Sequence, residues 1–255
     1  MNITRSNLKV ECESFESIGL DELDGKSLLN RVDEKFVFHS KHLLTILEQF
    51  RTHYAILDVG QTRLQEYRTR YYDTPDRSFF FAHQFGARSR QKVRVRNYTN
   101  SGHNFLEVKT KTNRNKTLKK RISVNEFDID LKQNQPFLHK HIPFEVDQLE
   151  STLRSSFNRI TLVSKQEAER VTLDWDLQYY DGNWESNWQN QDLCVAEIKT
   201  ERSGNRSKAA QILRAHRIYP TSFSKYCFGL CLEEPRLKQN RFKRYFLHLK
   251  KLNII

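Results

Sequence analysis

Residues 88–98 read RSRQKVRVRNY, and this stretch carries a cationic side chain at every second position. The alternating residues are Arg88, Arg90, Lys92, Arg94 and Arg96. In an extended strand, successive side chains point to opposite faces, so all five charges lie on one face. Neighbouring charges about 6.6 Å apart repel by about 2.5 kcal/mol at an effective dielectric constant near 20. This face therefore needs water, acidic partners or a polyanionic ligand to offset the repulsion.

The same alternation recurs in five other segments. They are LQEYRTRYY (64–72), FLEVKTKT (105–112), LKKRISV (118–124), RVTLDWDL (170–177) and CVAEIKT (194–200). In each segment the charged residues share one parity, except for Lys120 in the third. In FLEVKTKT, RVTLDWDL and CVAEIKT, apolar residues occupy the opposite parity. They are Leu106, Val108, Val171, Leu173, Trp175, Leu177, Cys194, Ala196 and Ile198. This pattern predicts a sheet with an apolar outer face and a charged inner face, and such a lumen suits charged substrates.

Eight strands are predicted along the chain, at 31–39, 64–73, 88–99, 104–112, 116–124, 158–166, 169–179 and 191–200. Eight strands are enough to close a barrel with an interior that holds a ligand. Residues 1 to about 25 are predicted to be irregular, 125–155 to be a mostly helical insert, and 236–255 to be a basic helical tail. We expect one mainly β (α+β) domain over residues 1–255, an eight-stranded antiparallel tunnel barrel with flanking helices and a core at about 31–232.

The overall charge indicates which classes of partner to expect, and the cysteines indicate which cellular compartment. The chain has 43 basic and 31 acidic residues, a formal net charge of +12, which attracts nucleic acid, anionic membranes or phosphorylated small molecules. The four cysteines show no CxxC spacing, so we expect free thiols in a reducing compartment. No apolar run has the length of a membrane span, and the first residues contain no signal-peptide core. We expect a cytoplasmic protein, with peripheral membrane contact as an open alternative.

Several common catalytic and binding classes lack their motifs. The sequence contains no GxxxxGK[ST], GxGxxG, GxSxG or HExxH. Cys227 and Cys231 have no second pair at zinc-finger spacing, and His139 and His141 stand apart from them. No RNP or helix-turn-helix pattern occurs, and a tunnel would exclude duplex, so nucleic acid is not an expected partner.

An inner face with many cations and few carboxylates is typical of phosphoryl transfer, in which cations neutralise the phosphate oxygens. Glu197 is the first candidate ligand for a divalent cation and Glu107 the second, because hard cations take carboxylate oxygens. Alternatively, each glutamate pairs with the lysine two residues on, Lys199 or Lys109. Arg94 and Arg96 are candidate phosphate clamps, since guanidinium groups bind phosphate through two parallel hydrogen bonds.

The segments KVRVRNY (92–98), FLEVKTK (105–111), RVTLDWDL, VAEIKT (195–200) and FSKYCFGL (223–230) together give a family resemblance. From about residue 31 to residue 232, the sequence resembles the polyphosphate polymerase domain of the vacuolar transporter chaperone (VTC) family. That family belongs to the triphosphate tunnel metalloenzymes, also called CYTH proteins. The resemblance implies a tunnel that holds ATP, Mn²⁺ or Mg²⁺ and inorganic polyphosphate. It also implies transfer of the terminal phosphate of ATP to polyphosphate, with release of ADP.

The resemblance also implies roles for individual residues. The catalytic set is Lys35, Arg94, Arg96 and Lys225. The substrate-binding set is Arg68, Lys109, Lys119, Arg121, Arg159, Arg170 and Lys199. The metal ligands are Glu197 and, with a less defined role, Glu107.

One departure separates the chain from the hydrolytic members of that superfamily, which begin with Glu-x-Glu-x-Lys. Here residues 31–35 read RVDEK, so an arginine replaces the first metal-binding carboxylate. The replacement favours the polymerase. Two alternatives stay open: a CYTH-type hydrolase of triphosphate or short polyphosphate, and a non-catalytic polyphosphate-binding module of a membrane assembly. Coupling of synthesis to transport would need a separate membrane subunit.

Overall fold

The alternating segments form strands of one large sheet. The computed structural model describes residues 3–24, 32–114, 116–180, 185–201 and 207–255. The strands are β1 (Ser17–Ile18), β2 (Val32–His39), β3 (Tyr54–Leu57), β4 (Gln65–Asp73), β5 (Arg90–Tyr98), β6 (His103–Lys111), β7 (Thr117–Val124), β8 (Glu150–Ser164), β9 (Glu169–Tyr180), β10 (Ser186–Asn190) and β11 (Leu193–Thr200). The helices are α1 (Arg5–Glu13), α2 (Leu20–Asp24), α3 (Leu43–Arg51), α4 (Ser78–Gln84), α5 (Gln135–His139), α6 (Lys208–Ala215), α7 (Lys225–Glu233) and α8 (Lys243–Lys251).

The main path of the sheet runs β2-β11-β9-β8-β4-β5-β6-β7, and every neighbouring pair on it is antiparallel. These eight strands are the eight that the sequence predicts, so the predicted mainly β antiparallel fold is confirmed. Three shorter strands were not predicted. β1 pairs with β3 in parallel, β3 pairs with β8, and β10 pairs with β9. Strands of two to five residues are too short for an alternating pattern to be recognised.

The sheet is curved, but its two ends are not joined by a ladder. Within the described ranges, β2 and β7 end the path and no hydrogen-bonded pairing connects them. The curvature nevertheless brings Lys109 of β6 within electrostatic range of Glu197 on β11 and Lys35 on β2. The prediction of a barrel closed by strand pairing is therefore wrong. The two walls instead face each other across the concave side of the sheet, which is called the lumen below.

On strands β2, β5, β6, β8, β9 and β11 the convex face of the sheet is apolar, as predicted, and two clusters cover it. Strands β2, β8, β9 and β11 contribute one cluster with α1, α3 and α6; Val171, Trp175 and Ile198 belong to it. Strands β5 and β6 contribute the other with the segment 131–149; Val93 and Leu106 belong to it. Within the alternating strands of this fold, one parity is thus removed from water and the opposite parity is directed into the lumen.

Helix α7 fills one part of the lumen, which the sequence does not predict. Its Tyr226, Phe228 and Leu230 are buried with inward-facing apolar residues of the strands, among them Val195. Helix α8 packs on the same cluster. Leu177 also belongs to this inner cluster, although the sequence predicts it on the outer face. The charged part of the lumen is therefore confined to the region in front of the first turn of α7.

Two local predictions about secondary structure are wrong. The first 25 residues contain α1, whose N-cap Thr4 accepts a hydrogen bond from the backbone N–H of Asn7, and they also contain β1 and α2. The insert at 125–155 has only α5 and two 3₁₀ turns (Leu131–Asn134 and Val146–Gln148), because β8 already begins at Glu150. Among the described helices, none is long and apolar enough to span a membrane.

Candidate functional site

Strand register brings the predicted cations together on the lumen side. Residues directly opposite each other on paired strands project to the same face. Glu107 lies opposite both Arg94 and Arg121, and Lys109 lies opposite both Lys92 and Lys119. On the facing wall, the opposed pairs are Glu197 with Lys35, Lys199 with Arg170, and Arg159 with Asp174. The lumen set is Lys35, Lys92, Arg94, Arg96, Lys109, Lys119, Arg121, Arg159, Arg170, Lys199 and, from α7, Lys225.

Glu107 is the counter-charge of the β5–β7 wall. The Arg94 guanidinium donates to Oε2 of Glu107 from Nε at 2.8 Å and from Nη2 at 2.6 Å, while Lys119 forms an ion pair with Oε1. Burial opposes ionisation of this carboxyl, but Arg94, Arg96 and Lys119 outweigh it and hold the pKa of Glu107 well below its usual range. Both carboxylate oxygens are engaged by cations. These contacts do not fit the metal ligation predicted for Glu107.

Arg96 is a buried cation whose side chain rests on aromatic rings. Its guanidinium carbon lies 5.4 Å from the ring centre of Tyr67 and 5.9 Å from that of Phe157. Burial and the nearby Arg94 lower the pKa of Arg96. In the part of the chain that the structure describes, the Nε atom of Arg96 is buried and has no hydrogen-bond partner. A buried donor without an acceptor costs free energy, and an anion in the lumen would supply the acceptor.

Asp174 joins the facing wall to α7. Arg159 donates to it from Nε at 2.6 Å and from Nη2 at 2.8 Å, and Lys225 contacts its Oδ2. Burial opposes ionisation of Asp174, but the two cations outweigh it and hold its pKa well below the usual range. Burial lowers the pKa of Lys225 to about 8, although Asp174 acts against this shift. Asp174 is not among the predicted site residues, although it shares the parity of Arg170 on the same strand.

The first turn of α7 is held by both walls of the lumen. Lys35 of β2 donates to the carbonyl of Phe223 at 2.9 Å, and Lys92 of β5 donates to Oγ of Ser224 at 2.8 Å. Ser224 is the N-cap and accepts from the backbone N–H of Cys227. Burial, together with the nearby cations, lowers the pKa of Lys92 to about 7. The positive end of the helix dipole therefore adds to the charge of the lumen.

Among Glu107, Asp174 and Glu197, Glu197 has the longest ion-pair contact to a cation. Its ion pair with Lys199 has an N···O distance of 3.6 Å. Burial opposes ionisation, but Lys199, Lys35, Lys109 and Arg159 hold the pKa of Glu197 well below its usual range. The described residues contain no group of three or more acidic, histidine or cysteine side chains suited to a metal. Of the two predicted metal ligands, Glu197 fits a hard cation that completes its coordination with water and phosphate oxygens.

Three predicted positions lie away from the charged lumen or at its edge. Arg68 is on the convex face, is 50% exposed and pairs with Glu66, so the prediction that it lines the lumen is wrong. The physical reason is that the opposite parity of β4, including Tyr67, packs inward with Phe157. Arg121 is exposed and its guanidinium carbon lies 4.5 Å from the ring centre of Phe105. Arg88 precedes β5 and is exposed, and Arg31 lies outside the described residues.

Solved structures with a similar fold share little sequence with this chain. A proposed adenylate cyclase from Bacillus halodurans superposes with a TM-score of 0.51 at 12% identity, covering 77% of this chain and 96% of its own. A proposed adenylate cyclase from Vibrio parahaemolyticus gives a TM-score of 0.45 at 14% identity, with 76% and 94% covered. A proposed adenylyl cyclase from Hippeastrum, described as having a dominant triphosphatase activity, gives 0.45 at 9% identity, with 82% and 97% covered.

The sequence comparisons identify a family but no individual curated relative. No curated protein matches the chain. The family model of the VTC domain matches residues 30–233, which include β2 to β11 and α7 and therefore every strand and helix that contributes a side chain to the lumen. The match covers well over half of the chain. The chain therefore belongs to the VTC domain family.

Proposed function

We propose that this chain is a metal-dependent polyphosphate polymerase, which transfers the terminal phosphate of ATP to inorganic polyphosphate and releases ADP. The observation that carries the proposal is the buried Nε of Arg96, which has no acceptor among the described residues, in a lumen whose cations outnumber its carboxylates. A linear chain of phosphates supplies acceptors along the whole lumen. Membership of the VTC domain family supports the same substrate class.

The proposed reaction needs positioning and charge neutralisation rather than a covalent intermediate. A terminal oxygen of the polyphosphate acceptor forms a bond to the γ-phosphorus of ATP, and the bond from that phosphorus to the oxygen of ADP breaks. Arg96 and Arg159, which both lie over the ring of Tyr67, would bind phosphate oxygens, and Lys109 of the β5–β7 wall would add a further cation. Holding acceptor and donor in line and neutralising the equatorial oxygens lowers the barrier. A divalent cation held by Glu197 would supply further neutralisation of the transferred phosphate.

Three of the carboxylates in the lumen are poor candidates for the base that hydrolysis needs. Attack by water requires a base that removes a proton, whereas an ionised phosphate acceptor is already a nucleophile. Glu107, Asp174 and Glu197 all have pKa values well below their usual range, so each is a weak base at neutral pH. Glu107 and Asp174 are also occupied by ion pairs.

The test is incubation of the purified protein with ATP and Mn²⁺, followed by gel analysis of polyphosphate and measurement of ADP. Wild type is expected to make polymer, and Glu197→Ala is expected to make little or none. Glu167→Ala, an exposed glutamate between β8 and β9, is the matched control and should retain activity. Release of free phosphate without polymer would assign a hydrolase. Salt-sensitive binding of polyphosphate that survives Glu197→Ala, without either product, would assign a binding module.

A further inference from the structure

Helix α8 carries a basic face that the lumen does not use. Lys243, Arg244, Leu247, Lys250 and Lys251 are all exposed, and their spacing places them on one side of the helix. The opposite side packs on the inner cluster through Tyr245, Phe246 and Leu249. The apolar side of this amphipathic helix is thus already buried in the protein. Its outward side remains available for a partner.

No acidic residue of this segment offsets the positive charge of the face. Residues 235–255 contain no Asp or Glu, and Arg236, Lys238 and Arg241 add three exposed cations before α8 begins. In the described chain, none of the four cations of α8 takes part in an ion pair. A concentrated positive field of this kind attracts a polyanionic surface.

Exposed apolar side chains distinguish a lipid surface from other polyanions. Leu247 is 60% exposed at the centre of the basic face. Phe85 is 66% exposed, and Nζ of Lys238 lies 5.9 Å from its ring centre. A nucleic acid or a free phosphate chain gains little from an aliphatic side chain. A bilayer interface accepts the leucine among its acyl chains and the cations among its anionic headgroups.

We propose that the outward face of α8 binds the surface of an anionic lipid bilayer, with the helix lying parallel to the membrane plane. Lys243, Arg244, Lys250 and Lys251 contact headgroup phosphates or carboxylates, and Leu247 inserts between them. This binding is independent of the lumen and of the polymerase activity proposed above. It would place this domain on a membrane through a helix that lies along the surface.

The test is sedimentation of the full chain with vesicles of phosphatidylcholine alone and of phosphatidylcholine mixed with phosphatidylserine. Binding is expected only to the mixed vesicles and should weaken as salt rises. Lys250→Glu with Lys251→Glu should lower the affinity at least about 20-fold, since each cation near an anionic surface contributes about fivefold. Lys9→Glu with Lys41→Glu is the matched control, because both residues are exposed and the change in net charge is the same.

A second variant separates lipid from other polyanions. Leu247→Gln should weaken vesicle binding several-fold and leave binding of free polyphosphate unchanged. Circular dichroism melting confirms that each variant is folded. Equal binding to neutral vesicles, full binding by the α8 double variant, or an equal loss in the control pair would overturn the proposal. If wild type does not bind vesicles but binds single-stranded RNA through Lys250 and Lys251, the face is a nucleic-acid site instead.

Discussion

At the scale of residues, the lumen holds many cationic side chains and few counter-charges. Asp174 holds Arg159 and Lys225, and Glu107 holds Arg94 and Lys119. Each carboxylate neutralises only part of the cationic charge around it. The remaining positive charge is therefore available to an anionic ligand.

The first prediction concerns Asp174→Asn, which keeps the shape of the side chain but removes the counter-charge of Arg159 and Lys225. Removal of one partner from a buried ion pair costs about 3–5 kcal/mol, so the melting temperature should fall by several degrees. Tripolyphosphate should raise the melting temperature of the variant by more than that of wild type, because the ligand restores the missing negative charge.

The control for this variant is Asp147→Asn, whose carboxylate is 74% exposed and pairs with Lys132 at 3.3 Å. An exposed pair of this kind contributes about 0–1 kcal/mol. Thermal melting of the three proteins with and without tripolyphosphate measures both effects. Equal melting of the two variants, or an equal ligand shift in Asp174→Asn and wild type, would contradict the role of Asp174.

The second prediction concerns pH. Burial lowers the pKa of Lys92 to about 7 and that of Lys225 to about 8 in the free protein. A bound polyanion favours the charged form and raises both values, so the complex holds more protons than the free protein above pH 7. The contribution of each lysine to affinity is complete below its free pKa and is lost as pH rises through and above it, by up to about tenfold per pH unit.

Calorimetric titration with tripolyphosphate from pH 6.5 to 9.5 checks this sign, and proton uptake can be measured in buffers of different ionisation enthalpy. Lys92→Met and Lys225→Met should each lose affinity at low pH and show a flatter dependence than wild type. The ligand ionises in the same way in every titration, so the difference between wild type and each variant does not depend on it. Parallel curves for wild type and both variants would refute the assignment.

At the scale of elements, α7 decides where the charged region ends. Its Gly229 lies against the sheet so closely that a Cβ atom there would be 2.7 Å from Cδ2 of Leu153 and closer still to the ring of Tyr179. The absence of a side chain at this position lets the helix sit deep in the lumen. The depth of the helix in turn sets the positions of Ser224 and Lys225.

The third prediction is that Gly229→Ala displaces α7. Overpacking costs about 1–3 kcal/mol, which outweighs or cancels the gain of up to about 1 kcal/mol from replacing glycine in a helix. We expect lower stability and weaker tripolyphosphate binding, measured by urea unfolding and calorimetry. Gly19→Ala is the control, since no atom lies within 4 Å of its Cβ position. Unchanged stability together with unchanged binding in Gly229→Ala would show that the helix does not set this position.

In strand β9, the alternating sequence predicts correctly which side of the sheet the first residues face, but not the last ones. Asp176 has a left-handed backbone with φ 56°, and the pairing of β8 with β9 shifts register nearby. The residues that follow Asp176 therefore change face, and Leu177 and Tyr179 point inward. Nothing in the alternating sequence RVTLDWDL marks that change, because Asp176 continues the parity of Asp174.

For the whole molecule, alternation was sufficient to predict the eight strands of the main path, since half-buried strands keep a period of two. It was not sufficient to predict the contents of the lumen. Arg68 was expected inside because it is charged, but tyrosines of the opposite parity pack against the aromatic residues of the inner cluster. The position of α7 depends on contacts between residues far apart in sequence, and no local pattern records such contacts.

The first turn of α7 touches β2 through Lys35, β5 through Lys92 and β9 through Asp174. One short helix therefore acts as a spacer between walls that share no strand pairing across β2 and β7 in the described chain. The width of the lumen is consequently set by this helix rather than by the strands. Evolution or engineering could alter which anionic ligands fit the lumen by changing a few side chains at a single helix terminus.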